Sequence, residues 1–216
     1  MVKGKAAPDE LALAVLRKEI AACRICRDAP LGGADARLPH EPRPVAVISS
    51  KARILIAGQA PGLKVHETGL PFNDASGDRL RDWLQVDRET FYNPDCFAIV
   101  PMGFCFPGYD AKGSDLPPRR ECAPQWRSRV MSAMPQIELI LAVGQYAQAW
   151  HMRTERRKNM TETVRAWRTT LSSTHRPSIL PLPHPSWRNT GWIKRNPWFG
   201  EELLPVLRER LGALLS

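Results

Sequence analysis

Four short runs of apolar residues alternate with stretches of helical pattern along the chain. The runs cover residues 54–57, 97–100, 137–143 and 179–182. Each run is continuous, short and rich in branched side chains, as expected for a strand that is buried on both faces. Strands that alternate with helices predict a parallel sheet covered on both sides. We therefore predict an α/β fold, a three-layer α/β/α sandwich around a four-stranded parallel sheet.

Apolar residues at helical spacing predict the elements between these runs. A first helix is expected over residues 9–22, where Asp9 suits the helix start. Further helices are predicted over residues 77–84, 123–134, 145–152 and 161–167, and a last one over 196–214 that Pro205 kinks. The Pro/Gly-rich stretch over residues 30–44 is predicted as an extended loop, because too little chain precedes it to form a core.

The composition is typical of a folded, soluble protein. Hydrophobic residues make up 43% and charged residues 25% of the chain, which argues against disorder, collagen and coiled coil. No run approaches the ~18–20 apolar residues of a membrane span, and the first residues lack the apolar core of a secretory signal. The chain of 216 residues is short enough for one core. We expect residues 1–216 to form a single domain, cytoplasmic and monomeric, with no membrane contact.

The charge narrows the class of partner. Lys and Arg number 31 against 22 Asp and Glu, which gives a net charge of +9. This charge slightly favours a protein that binds a polyanion such as nucleic acid over a basic enzyme with no such partner.

The five cysteines are an odd number without a secretory signal, so a disulfide framework is not expected. Clustered cysteines in a reducing compartment more often hold metal or stay buried as small apolar groups.

Three loops near the predicted strand ends carry candidate chemistry, because sites in parallel sheets form outside the carboxyl ends of the strands. Residues 58–62 form a Gly/Pro turn whose backbone amides could hold an anion, or an ordinary turn. His184 follows the last strand and could donate a hydrogen bond to a developing anion, or be a structural histidine. Between them, Phe72 lies in a polar loop and could stack on a flat ligand or fill the core.

Together these segments resemble the uracil-DNA glycosylase superfamily, most closely its iron–sulfur bacterial and archaeal branch. The Gly-Glu-x-Pro-Gly motif of that branch reads Gly-Gln-Ala-Pro-Gly at residues 58–62, its Gly-x-Pro-Phe loop lies at 69–72, and its His-Pro-Ser motif lies at 184–186. The motifs occur in the correct order over about residues 20 to 200. Each motif is weak alone, and their order and context make the signal specific.

The resemblance also gives the cysteines a role. The family's four cluster ligands match Cys23, Cys26, Cys105 and Cys122. Four thiolates suit a [4Fe–4S] cluster, which we expect to be structural, and a structural zinc would accept the same ligands. Cys96 is left over as a free buried thiol.

Family members excise a deaminated base from DNA after flipping it into a pocket. The resemblance implies that His184 donates to the departing base, that Phe72 stacks on it and that backbone of the 58–62 turn completes the pocket. The residues expected to contact the substrate in this way are Gly58, Ala60, Gly62, Phe72 and Ser186. The residues expected to contact DNA are Trp187 and Arg188, as a wedge that fills the vacated position, and Arg119, Arg120, Lys194 and Arg195, as phosphate contacts.

The chain departs from the family in its catalytic carboxylate. Gln59 stands where the iron–sulfur relatives carry Glu, and Ala60 stands where the best-known branch carries Asp. Glutamine can still orient a water molecule, so Gln59 remains a candidate catalytic residue. Asp74 is the preferred substitute carboxylate, with Glu67 and His66 as alternatives.

A second departure affects base choice. Relatives read uracil with an Asn at the end of the second strand, whereas residues 100–105 here contain none. The expected activity is hydrolysis of the N-glycosidic bond of uracil, or of another deaminated base such as hypoxanthine or xanthine, in DNA. A DNA-binding protein that has lost catalysis is the alternative of a different class, and an iron–sulfur redox protein is a weaker third.

Overall fold

A computed structural model describes residues 9–216 apart from residues 173 and 175. Residues 1–8 lie outside the described residues. The expectation about a secretory signal and the start of the expected single domain fall on these residues. Within the described part of the chain, no helix combines the length and the apolar character needed to cross a bilayer.

The sheet has the predicted architecture. Among the described residues its strands are Ile54–Ala57 (β1), Phe97–Ile99 (β2), Leu139–Val143 (β3) and Ser178–Leu182 (β4). They lie in the order β2-β1-β3-β4, and every neighbouring pair is parallel. The α/β fold around a four-stranded parallel sheet is therefore confirmed, with strand ends within two residues of those predicted.

Helices connect the strands. They are Glu10–Ala21 (α1), Ile25–Asp28 (α2), Leu63–Thr68 (α3), Ala75–Leu84 (α4), Arg88–Tyr92 (α5), Cys122–Ala133 (α6), Gln145–His151 (α7), Met160–Arg165 (α8), Trp167–Leu171 (α9), Thr190–Arg195 (α10) and Leu204–Leu215 (α11). The short helices α3, α5 and α10 were not predicted, because five or six residues carry too little periodicity. The predicted helix over 161–167 divides into parts of α8 and α9.

The predicted C-terminal helix over residues 196–214 is present as a helical backbone that runs without a break from Trp198 to Leu215 and is distorted just before Pro205. A five-residue π-helical turn, Phe199–Leu203, leads into α11, which begins at Leu204. Leu203 and Leu204, just before Pro205, keep helical dihedral angles, so the helix continues through the proline. A π-helical turn and a proline are both known causes of a local distortion in a helix.

The two faces of the sheet bury separate cores. Ile54 and Ile56 of β1 point into a core shared with α4 and α11. Leu55 and Ala57 of the same strand point into a core shared with α1 and α6. This alternation explains why the strands are apolar throughout, and it gives the three layers.

The order of the strands fixes the place of the site. The chain leaves β1 for β2 on one side, then crosses to β3 on the other side of β1. Ligands in such sheets bind where the direction reverses, at the carboxyl ends of the strands. Gly58 follows β1, Gly144 follows β3 and His184 lies two residues after β4, so all three lie at this edge.

Candidate active site

A cleft of about 430 Å³ opens at the carboxyl edge of the sheet. The residues from the sequence analysis that line it are Gly58, Gln59, Ala60, Gly62, Phe72, Asp74, His184, Ser186, Trp187 and Arg188. These residues come from two neighbouring segments, 58–62 and 72–74, and from a third, 184–188, more than a hundred residues further along the chain. The structure thus brings together all the catalytic and substrate-binding candidates that the motifs indicated.

The turn after β1 forms one wall of the cleft and is tied to the segment after β2. The backbone N–H of Met102 donates to the Gly58 carbonyl at 3.0 Å, and that of Gly103 donates to the Gln59 carbonyl at 2.9 Å. A Cβ on Gly58 would lie 3.1 Å from the Phe72 ring, so a side chain there would crowd the ring where it approaches the turn. Gln59 and Ala60 are half-buried and line the same cleft as this ring.

Phe72 is held in a left-handed backbone conformation, with φ of 53°. Its carbonyl accepts hydrogen bonds from the Tyr92 hydroxyl at 3.1 Å and from the Arg81 guanidinium at 3.4 Å. A Cβ on Gly77 would lie only 1.7 Å from that carbonyl oxygen. The ring meets Phe91 edge-on, with centroids 6.2 Å apart. A strained conformation that is fixed from several sides is common at ligand sites.

His184 presents its imidazole on the opposite part of the cleft lining. Its Nδ1 accepts the backbone N–H of Ser186 at 3.2 Å, which assigns the proton of the neutral ring to Nε2. Burial lowers the pKa of His184, and nearby Asp74 opposes this shift. The imidazole is therefore a neutral Nε2–H donor in a partly desolvated position.

Two residues that the sequence analysis did not single out position His184. Gly144, after β3, has a φ of 82°, and a Cβ there would lie 3.4 Å from the His184 Cβ. The Asn189 amide donates to the His184 carbonyl at 2.7 Å. The glycine directly after an apolar strand was a signal for a close approach, whereas nothing in the sequence indicates the partner of Asn189.

Asp74 lines the cleft as predicted, but it also starts helix α4. Its Oδ1 accepts the backbone N–H of Gly77 at 2.9 Å. This cap fixes the carboxylate at the cleft, within electrostatic reach of His184. The alternatives His66 and Glu67 do not line the cleft, since the His66 ring lies against His40 with centroids 4.4 Å apart and Glu67 is exposed.

At the rim of the cleft, Trp187 is 76% exposed and Arg188 donates to the Ser114 hydroxyl at 2.9 Å. The four other candidate DNA contacts lie elsewhere. Arg120, Lys194 and Arg195 are exposed residues that do not line the cleft. Arg119 is half-buried, and its guanidinium bonds to the Ala36 carbonyl and to Glu121. Its charge is used inside the protein, which argues against the predicted phosphate contact.

A loop that the sequence analysis overlooked also borders the cleft. Asp110 organises it, since its Oδ1 accepts the backbone N–H groups of Lys112 at 2.9 Å and Ser114 at 2.8 Å. Asp115, at the end of this loop, lines the cleft, and its Oδ2 lies 3.6 Å from the position of a Cβ on Gly62. The turn-forming residues 110–113 predict a loop, but not which wall it meets.

The four candidate ligand cysteines line one small cavity between the N-terminal segment, the loop after β2 and α6. None of the cysteines, all of which are among the described residues, forms a disulfide. Cys96 is half-buried on the other side of the sheet, so the prediction that it is buried holds only in part.

Two of these four sulfurs accept an N–H hydrogen bond. Cys23 accepts from the Trp126 indole and Cys122 from the Phe104 backbone, both at 3.3 Å. Burial raises the pKa of Cys26 and of Cys105, and the Arg119 side chain and the Arg43 backbone, respectively, partly offset this rise. N–H donors directed at sulfur stabilise thiolates, which are the form that binds metal. The donor set therefore fits a thiolate-ligated group.

The electrostatics of the free thiols oppose this ionisation. Burial raises the pKa of Cys26 to about 11 and that of Cys105 to about 12, and it raises the pKa of Cys122 as well. Among the described residues, no three His, Cys, Asp or Glu side chains are arranged to hold a metal ion. A single zinc would require all four sulfurs within about 2.3 Å of one point.

One family model matches the chain, that of the uracil DNA glycosylase superfamily, over residues 45–208. The matched region contains β1 to β4 and every residue named above as lining the cleft. It is also more than half of the chain. Since the matched family, the parallel sheet and the arrangement of the motif residues agree, we conclude that the chain belongs to the uracil DNA glycosylase superfamily, whose members are glycosylase hydrolases acting on DNA.

Proposed function

We propose that this protein excises uracil, or another deaminated base, from DNA by hydrolysing the N-glycosidic bond and leaving an abasic site. The observation that carries the proposal is the shared cleft, in which the Nε2–H donor of His184 and the fixed ring of Phe72 line one space. A flat base between them would be stacked by the ring and hydrogen-bonded at its edge by the imidazole. Both groups are in position before any ligand arrives.

Breaking the glycosidic bond places negative charge on the base and positive charge on the sugar. His184 stabilises the departing base with its Nε2–H, and a partly desolvated donor is stronger there than one in water. Because the donor is the neutral imidazole, no protonation of His184 is needed. Gln59, half-buried on the turn after β1, can hold a water molecule through its amide.

The wall of the cleft at the end of β2 is apolar, formed by Ile99 and Pro101 with Val45. The carbonyls of Val100 and Pro101 accept hydrogen bonds from the buried Arg127 at 3.0 and 2.6 Å, so they are directed away from the cleft. Base identity would then be read by backbone groups of the turn after β1. Uracil is our first choice, and hypoxanthine and xanthine are the bases to compare with it.

The rim supplies contacts for the DNA itself. Trp187 is an exposed indole directly beside the cleft, suited to the gap left by a flipped nucleotide. Arg188 lies next to it, and the net charge of +9 favours a polyanion.

The four cysteines would hold a [4Fe–4S] cluster that ties the N-terminal segment to the loop after β2 and to α6. The four sulfurs at one small cavity support this proposal, as do the N–H donors to Cys23 and Cys122. A structural zinc is the alternative for the same four ligands. Bound there, the cluster would supply structural cross-linking, because its ligands do not line the cleft.

The test is a panel of duplex and single-stranded oligonucleotides that contain uracil, hypoxanthine or xanthine, with an undamaged control. Abasic sites are detected by alkaline cleavage, and binding is measured on the same oligonucleotides. Strand breaks at one modified base support the enzyme. Binding without breaks at any of them would instead support a DNA-binding protein that has lost catalysis, which the missing motif carboxylate makes the second candidate.

A further inference from the structure

We infer that Asp115 is a catalytic residue, supplying the carboxylate that the motif after β1 lacks. This inference rests on the proposed glycosylase function and deepens it. In the motif, Gln59 and Ala60 carry no negative charge, although the developing cation on the sugar calls for one. Asp115 reaches the same turn from another part of the chain.

The position of Asp115 is defined by its proximity to the motif turn and by hydrogen bonds of the loop that carries it. Its Oδ2 lies 3.6 Å from where a Cβ on Gly62 would be, at the end of the motif turn. The loop that carries it is shaped by Asp110 and is joined to the His184 segment by the hydrogen bond between Arg188 and Ser114. Asp115 thus lies beside the motif turn, on a loop that is bonded to the His184 segment through its neighbour Ser114.

Asp115 is better placed than Asp74 for a role at the sugar. Asp74 caps α4 and lies near His184, where the base would be held. Asp115 lies nearer the rim and is exposed to solvent, so it can reach both the sugar and a water molecule. Burial of its carboxyl group nonetheless raises the pKa of Asp115, with Arg188 opposing and Asp74 adding to the shift.

These groups account for the bond that breaks, the bond that forms and the proton that is released during hydrolysis. The C1′–N bond breaks, and its electron pair leaves on the base, where His184 stabilises it. The oxygen of a water molecule forms the new bond to C1′. The proton of that water passes to the ionised carboxylate of Asp115, which also stabilises the positive charge on the sugar before the water attacks.

The test compares single-turnover excision and DNA affinity of the wild type with those of Asp115→Asn, Asp74→Asn and a control, Asp82→Asn. Asp82 is an exposed aspartate on α4 that does not line the cleft, so its substitution removes the same charge elsewhere. We expect Asp115→Asn to slow excision about 10²-fold, with unchanged or tighter binding because a negative charge near the DNA is gone. Asp82→Asn should match the wild type.

The outcomes separate this inference from the function on which it rests. Excision by Asp115→Asn within about threefold of the wild type, while the wild type is active, overturns the role of Asp115 alone. A larger loss in Asp74→Asn than in Asp115→Asn also overturns it and moves the carboxylate role to Asp74. A wild type that releases no base from any substrate overturns both the inference and the proposed function.

Discussion

The backbone N–H of Ser186 donates a 3.2 Å hydrogen bond to Nδ1 of His184. Two residues of the same His-Pro-Ser segment therefore decide which ring nitrogen of His184 carries the proton. The free Nε2–H remains for a ligand, and protonation of the ring would cost this internal hydrogen bond. The proline between them shapes the turn that makes the contact.

This arrangement predicts how base release depends on pH. Burial lowers the pKa of His184 below its usual 6.5, so the ring is neutral and already a donor at neutral pH. The rate of base release should not fall between about pH 6 and about pH 8. It should decrease at lower pH, because the Asp115 carboxylate, whose pKa is raised by burial, then becomes protonated. Arg188 and Asp74 are the charged groups that act on Asp115.

Single-turnover rates across this range check the prediction. A rate that falls as pH rises through the usual histidine range would mean that the charged imidazolium is required. That result would contradict the neutral-donor assignment.

The support of Phe72 predicts a stability effect. Gly77→Ala should lower the free energy of unfolding by about 3 kcal/mol, because its Cβ would meet the Phe72 carbonyl oxygen at 1.7 Å. Gly212→Ala is the matched control, since nothing lies within 4 Å of a Cβ there and alanine favours α11 by up to about 1 kcal/mol. Urea denaturation of both variants measures the difference, and equal stabilities would show that the Phe72 backbone is not constrained.

The wedge assignment predicts a dependence on strandedness. Trp187→Ala should slow excision from duplex DNA more than from single strands, because only a duplex leaves a gap to fill. Leu11→Ala is the control, since Leu11 is also 76% exposed and lies on α1, outside the cleft lining. The measurement is the excision rate on duplex and on single-stranded substrates. An equal loss of rate on both substrates would contradict the wedge role of Trp187.

The cysteine assignment predicts a brown protein that contains iron and acid-labile sulfide. Cys122→Ser should lose most of the iron and absorb less near ~400 nm, because Cys122 is one of the four sulfurs at the small cavity. Cys96→Ser should keep the iron and the absorbance of the wild type, since Cys96 lies outside that cavity. Metal analysis of anaerobically purified protein is the measurement, and a colourless, zinc-loaded wild type would refute the cluster.

The sequence predicted the layers and the position of the cleft, because both follow from short-range patterns. Continuous apolar runs mark strands buried on both faces, and motif residues directly after them must lie at one edge of the sheet. The position of Gly58 and His184 at the carboxyl edge of the sheet, where they line the cleft, could be predicted from the sequence alone. The C-terminal helix was predicted as well, whereas the π-helical turn before Pro205 leaves no distinct pattern in the sequence.

What could not be predicted depends on contacts between distant segments. Asp115 reaches Gly62 only because the loop after β2 folds over the cleft, and Arg119 turns inward because Ala36 and Glu121 lie beside it. A charge in the sequence does not show which side it faces. The roles assigned to the site residues therefore remain predictions for the variants described above.

The most direct test is the single-turnover release of free base from a uracil-containing duplex by the wild type, His184→Ala and the control His40→Ala. His40 lies outside the cleft lining and packs against His66 and Phe106. We predict release by the wild type, release at a similar rate by His40→Ala, and a loss of at least about 10²-fold in His184→Ala. Equal rates for the wild type and His184→Ala would contradict the account.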